Sequence, residues 1–216
     1  AMFQVLFEAE GFRPTFYYRI RPPGAPVEVT LKPVPSGSGE NARVRGRVTD
    51  DTGKPIERAL VQVRGATRGG TWQSGSWEDI ESLAFTDESG AFVLRGEAPF
   101  DSVDSRVEAR GFAPSERLEA VGTGPAVHEV RLKRGGSVKG RLVKDGQPVA
   151  QAGVSLRGTQ GGAESGTFAI TTDAEGRFHF RDVPSGRAYY LFSMMESLRE
   201  LGASEVRRVT LNEGVS

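Results

Sequence analysis

The 216-residue sequence contains no cysteine. Disulfides, a thiolate nucleophile and Cys-based zinc sites are therefore excluded. Histidine is nearly absent, with only His128 and His179, and there are only two asparagines and two tryptophans. Net charge is also missing, because 28 basic side chains cancel 28 acidic ones. Binding a phosphate backbone draws on a basic excess, so nucleic acid is not an expected partner. No apolar run approaches the roughly 18 residues that a membrane-spanning helix needs. Ala1-Met2-Phe3 has neither a basic n-region nor a cleavage site, and is not read as a signal peptide.

What the chain has in excess is turn formers, with 28 glycines and 12 prolines. These punctuate short stretches that alternate apolar and polar residues, such as Val61 and Val63, Phe92 and Leu94, Val154 and Leu156, or Phe178 and Phe180. A period of two between turn signals describes strands of an all-β protein. Gly90 and Gly176 fall where a hairpin needs a positive φ after an acidic residue.

The sequence also repeats itself. Val44-Arg45-Gly46-Arg47-Val48, Gly53-Lys54-Pro55-Ile56 and Ala59-Leu60-Val61-Gln62-Val63 correspond to Val138-Lys139-Gly140-Arg141-Leu142, Gly146-Gln147-Pro148-Val149 and Ala152-Gly153-Val154-Ser155-Leu156. Thr86-Asp87-Glu88-Ser89-Gly90-Ala91-Phe92 corresponds to Thr172-Asp173-Ala174-Glu175-Gly176-Arg177-Phe178. Val130-Arg131-Leu132 and Val209-Thr210-Leu211 are the closing strands. A partial copy precedes them. Phe7-Glu8-Ala9-Glu10-Gly11-Phe12-Arg13-Pro14 matches Val107-Glu108-Ala109-Arg110-Gly111-Phe112-Ala113-Pro114, and Val29-Thr30-Leu31 matches the closing strand. The expected divisions are 1–36 (last strands of a preceding repeat plus the Ser36-Gly37-Ser38-Gly39 linker), 43–135 and 136–216. Such a chain reads as a piece of a longer array.

The pattern G-x-V, G-x-P-(I/V), A-x-V-x-(V/L), T-D-x-x-G-x-F, A-x-G-(F/Y), V-x-L resembles the carboxypeptidase regulatory-like domain. The resemblance implies tandem transthyretin-like (prealbumin-like, Greek-key) β-sandwiches of about seven strands. It further implies an accessory unit of a secreted or cell-envelope bacterial protein. The last copy departs from the pattern after Tyr189-Tyr190-Leu191-Phe192. There the A-x-G-F segment is missing, and Met194–Leu201 reads as a short helix. A second short helix is read over Trp77–Leu83, with Ser76 as N-cap.

Little chemistry is encoded. His179 lies between two inward phenylalanines and so faces out, His128 precedes a closing strand, and neither has metal or triad partners. Asp50-Asp51, Asp87-Glu88 and Asp173-Ala174-Glu175 lack the ligand spacing calcium requires, and Asx turns account for Asp87 and Asp173. Arg68-Gly69-Gly70 and Gly161-Gly162 precede no helix and are loop tips rather than phosphate loops. A Lys139–Asn212 isopeptide bond is one covalent option, with no counterpart in the preceding copy. Phe12, Phe16, Tyr17 and Tyr18 form an aromatic cluster best explained by packing. The segment that stands out is the long loop holding Trp72 and Trp77, either covering a sandwich edge or presenting a platform to a sugar ring or protein. The reading is therefore a non-catalytic structural and recognition module with no cofactor and no metal, whose partners are neighbouring domains and a protein or polysaccharide. A carbohydrate-binding module and an isopeptide-stapled adhesin stalk are the alternatives.

Overall fold

The computed structural model describes residues 3–13, 15–20, 26–34, 42–74, 80–121, 126–159, 167–193 and 205–212. The chain divides into two compact units, Ala1–Val107 with Leu118–Arg131, and Glu108–Arg117 with Leu132–Ser216. Every regular element described is a strand or bridge apart from a single 3-10 residue at Ala42.

The first ten strands are β1 (Phe3–Phe7), β2 (Thr15–Ile20), β3 (Arg43–Asp50), β4 (Leu60–Arg68), β5 (Thr71–Ser74), β6 (Leu83–Phe85), β7 (Ala91–Arg95), β8 (Ser102–Glu108), β9 (Ser115–Val121) and β10 (Val127–Leu132). One sheet has the order β10-β3-β7, and the other runs β5-β4-β8-β9 with β6 also on β4. Alternation along β7 and β8 puts Phe92, Leu94, Val103 and Val107 inside, each at most 3% exposed. This is the two-sheet arrangement in which inner faces interdigitate.

The later strands are β11 (Gly136–Arg141), β12 (Val143–Lys144), β13 (Gln147–Pro148), β14 (Gly153–Gly158), β15 (Thr167–Thr171), β16 (Arg177–Val183), β17 (Arg187–Ser193) and β18 (Arg207–Leu211). β11 pairs with β16, and a second sheet has the order β15-β14-β17-β18. Their core holds Val138, Val154, Leu156, Phe178, Phe180 and Tyr189. Tyr189 is 1% exposed and satisfies its hydroxyl by donating to the Pro184 carbonyl at 2.6 Å.

Both sandwiches are built on the same hydrogen bonds. Val48 N–H donates to Gly90 O and Leu142 N–H to Gly176 O, each at 2.8 Å. Ile56 N–H donates to Val48 O and Val149 N–H to Leu142 O, each at 3.0 Å. Gly46 pairs with Phe92 and Gly140 with Phe178. A Cβ on either glycine would overlap the facing phenyl ring, so glycine is required for the ring to lie flat against the strand. Gly90 and Gly176 have φ of 78° and 75° at hairpins where a Cβ would also strike a carbonyl.

Three expectations are corrected. Leu83 belongs to β6, and Ile80 bridges to Gly96 while Glu81 N–H donates to Arg95 O at 2.7 Å. These bonds commit 80–83 to extended pairing on β4 and the turn after β7, so the Trp77–Leu83 helix does not form there. The rest of that helix, and the one at Met194–Leu201, lie outside the described residues. Second, Val27–Leu31 is not a strand, and β1 pairs instead with β2. β2 runs back along β1 from Thr15, as β9 runs back along β8 from Ser115, so the hairpin is complete before residue 27 is reached. Third, the closing strands differ. β10 joins β3, whereas β18 joins β17, the place that β9 takes on β8.

The N-terminal hairpin belongs to the first unit and is tied to its sandwich by charge. Arg13, only 8% exposed, holds Glu97 at 2.9 Å, and Arg58 holds Glu8 at 2.9 Å. Of the aromatic cluster, Phe12 is 43% exposed, and the side chains of Phe16, Tyr17 and Tyr18 lie outside the described residues.

Candidate functional site

Trp72 stands on β5, where all four residues are exposed. The β4–β5 register pairs Thr67 with Trp72 and Gly65 with Ser74. The indole leans diagonally across the strand so that a Cβ on Gly65 would lie 2.9 Å from its ring. A large aromatic covering a bare strand glycine protects that backbone from water. Trp72 remains 57% exposed, and so offers an aromatic face held on a hairpin whose tip, Gly69-Gly70, has φ of 57° and 74°. The tip is anchored by Gly70 N–H donating to an Asp101 carboxylate oxygen at 3.0 Å and by Arg68 Nε donating to Pro99 O at 3.0 Å. Trp77 lies outside the described residues.

In each acidic turn one carboxylate oxygen of the leading aspartate closes the turn. Asp50 Oδ1 accepts from Thr52 N–H, Thr52 Oγ1 and Lys54 N–H at 2.6–2.9 Å. Asp87 Oδ1 accepts from Ser89 N–H, Ser89 Oγ and Ala91 N–H at 2.7–3.0 Å. Asp173 Oδ1 accepts from Glu175 N–H and Arg177 N–H. The Thr52 hydroxyl chiefly holds Asp50, and the Ser89 hydroxyl chiefly holds Asp87, below the ordinary carboxylate value. Among the described residues no group of three or more His, Asp or Glu is arranged to hold a metal.

Sequence reasoning missed two features. One is the threonine of each T-D-x-x-G segment. Thr86 Oγ1 donates to Ile56 O at 2.6 Å and accepts from Ala59 N–H at 2.8 Å. Thr172 Oγ1 does the same with Val149 O at 2.8 Å and Ala152 N–H at 3.0 Å. Each is 2% exposed and clips a crossing loop to the hairpin. The repeat of Thr beside Asp was its only signal. The other is Glu81, 3% exposed, beside a 320 Å³ cleft lined by Phe12, Leu83, Phe85, Phe92, Val93 and Arg95, among others. Burial pushes its carboxyl above the ordinary value despite Arg95, whose N–H donates to Oε2 at 2.8 Å and whose guanidinium lies at 3.4 Å. Asp87, the other acid lining the cleft, is engaged in closing its own turn. Glu81 thus has a perturbed acidity, general acid–base work needs a positioned partner, and among the described residues lining the cleft the other acid is the turn-closing Asp87.

His179 faces away from the core, half-buried, between Phe178 (8% exposed) and Phe180 (4%). Desolvation, then Arg181 and Lys139, lower its pKa. His128 sits half-buried on β10. Lys139 and Asn212 belong to, or follow, β11 and β18, which are strands of different sheets, so no ladder sets them side by side.

The second unit contains a groove of about 590 Å³ bordered by β11 and by β17–β18. Val138, Leu142, Val154, Leu191 and Val209 give it an apolar floor. Its rim carries Lys139, Arg141, Lys144 and Arg207, with Glu205 holding Arg207 at 2.9 Å. Both β11 and β18 are edges of their sheets among the described residues.

Fold and surface together define an all-β protein of β-sandwich domains. Residues 43–133 match the family model of the carboxypeptidase regulatory-like domain, and the chain carries such a domain there. That domain is a non-catalytic one. No curated protein matches the chain. A Streptococcal ancillary pilin is similar at 13% identity and TM-score 0.37, over 97% of this chain and 71% of that one. A DUF3823 family protein from Parabacteroides merdae gives 12% identity and TM-score 0.24, over 79% and 96%. The pilus adhesin RrgA from Streptococcus pneumoniae gives 13% and 0.21, over 81% and 28%. At these scores no functional conclusion is drawn from the three.

Proposed function

We propose that the chain is a non-catalytic structural and recognition module of a secreted or cell-envelope bacterial protein. Its sandwiches act as stiff frames that space neighbouring domains and present loops to a partner. The observation that carries this reading is the β4–β5 hairpin, an anchored edge hairpin with Trp72 left 57% exposed. Loops on a rigid frame are where recognition is placed, and Trp is the residue most enriched in binding hot spots. The family match and the engagement of the Asp50, Asp87 and Asp173 carboxylates in turns support the non-catalytic part.

The second reading, carbohydrate binding through Trp72 and Trp77, is favoured by the same exposed indole. Affinity electrophoresis through gels containing soluble xylan, β-glucan or glycol chitin separates the two. The protein-recognition reading expects unchanged mobility in every gel. Retardation that Trp72→Ala removes establishes the carbohydrate reading instead.

A further inference from the structure

The two sandwiches differ in which sheet takes the closing strand. In the first unit β3 is flanked on both sides, by β7 and by β10. In the second, β11 occupies the place of β3 but has β16 on one side only among the described residues. The closing strand β18, which by sequence matches β10, is engaged on β17 instead. The 590 Å³ groove lies along the edge of β11 that has no strand partner among the described residues. An open edge carries unpaired N–H and C=O groups, and an apolar trough beside it selects alternate side chains of an added strand.

The same chain holds a spare closing strand. Two pairs of hydrogen bonds fix the correspondence. Phe12 N–H donates to Ala9 O and Phe112 N–H to Ala109 O, each at 3.1 Å. Arg13 N–H donates to Lys32 O at 2.8 Å as Ala113 N–H donates to Lys133 O at 2.9 Å. Lys32 therefore stands where Lys133 stands, and Glu28-Val29-Thr30-Leu31 where Glu129-Val130-Arg131-Leu132 stands. Val130 and Leu132 are 5% and 1% exposed inside their sandwich. Val29 and Leu31 are only half-buried, Val27 is 40% exposed, and 27–31 joins no ladder among the described residues.

We propose that Val27–Leu31 of one copy of this chain adds as a strand to the β11 edge of a second copy. Val29 and Leu31 would then enter the groove as Val130 and Leu132 enter theirs. Glu28 meets Lys139 and Arg141 on the rim, where Arg207 is held by Glu205, and this favours the segment over a basic one. Donor and acceptor are different surfaces, so the contact is heterologous and joins copies head to tail.

Sedimentation velocity over a concentration series, with hydrogen exchange on the same samples, tests this. The parent chain should gain mass with concentration, and the 136–141 amides should slow by about tenfold or more as it does. The full-length double variant Val29→Asp/Leu31→Asp should stay at the mass of one chain, with the 136–141 amides that do not face β16 exchanging fast at every concentration. Should that variant lose its far-UV spectrum, a labelled peptide of residues 26–33 is added to dilute parent protein, and slowed exchange at 136–141 is the expected result. A parent that stays at one-chain mass throughout overturns the proposal. Association that the double variant retains, that leaves 136–141 unprotected, or a peptide that does not slow them, overturns it equally.

Discussion

The sandwich around β3 and the sandwich around β11 use one set of internal bonds and differ at their edges. Inside, the Thr clip, the Gly–Phe contact and the hairpin glycine recur position for position. At the margin, β10 closes the first sheet while β11 has one neighbour among the described residues. Turns and buried hydroxyls have one geometry that satisfies them. The edge strand is chosen by how much chain is available to return to it. Ala109–Phe112 turns β8 into β9, which takes the outer slot beside β8, and β10 joins β3 in the other sheet. After β17 the next described strand is β18, and it takes the outer slot beside β17.

Breaking the shared interior should have the largest effect. Phe92→Ala and Phe178→Ala should each cost about 3–5 kcal/mol, the range for a buried aromatic. Both tryptophans precede residue 78, so indole fluorescence follows the first unit while far-UV circular dichroism follows both. Phe92→Ala should lower the fluorescence midpoint in urea, and Phe178→Ala should leave it in place while shifting the circular dichroism. Two fluorescence midpoints that move alike would show that the halves do not melt separately.

Thr86→Val and Thr172→Val keep shape and remove the hydroxyl. Each strands a buried N–H, of Ala59 or Ala152, and should cost about 1–3 kcal/mol. Costs that differ more than twofold between the two would break the equivalence of the clips.

The pH response should come mainly from the first unit. Asp50 and Asp87 have folded values below the ordinary 3.8, so their stabilisation is complete above it and fades as pH falls through the lower folded value. Glu81 runs the other way. Its folded value lies above the ordinary 4.5, so its ionisation removes stability as pH rises through that window. Glu81→Gln should flatten that decline and leave the acid limb, which Asp50→Asn/Asp87→Asn should weaken instead. Denaturation midpoints from pH 3 to 8 check both slopes. The smallest effect belongs to Arg58→Ala, whose exposed pair with Glu8 should be worth no more than about 1 kcal/mol.

Much of this was legible in the sequence. The period-two stretches, the hairpin glycines and the inward phase of Phe92, Leu94, Phe178 and Phe180 follow from local rules and are present. The missing A-x-G-F segment after Phe192 marked the place where the second sandwich departs. The path of a strand after a turn was not legible, because Val130-Arg131-Leu132 and Val209-Thr210-Leu211 have the same pattern and pair with different neighbours. Val27–Leu31 misled for the same reason, since a strand pattern without an adjacent edge stays unpaired. Glu81 was hidden because polarity around an acid depends on residues remote in sequence, here Phe12 and Phe92. Trp72 was found as a candidate, but its contact with Gly65 required the β4–β5 register.

Amide exchange resolved to single residues, in dilute protein, compares 43–50 with 136–141 most directly. In β3 successive amides point alternately toward β7 and toward β10, so protection should extend to both sets. In β11 the amides facing β16 should be equally slow, and the alternate ones should exchange at rates near those of an open chain. Uniform protection along β11 at a concentration where the mass is that of one chain would contradict the account.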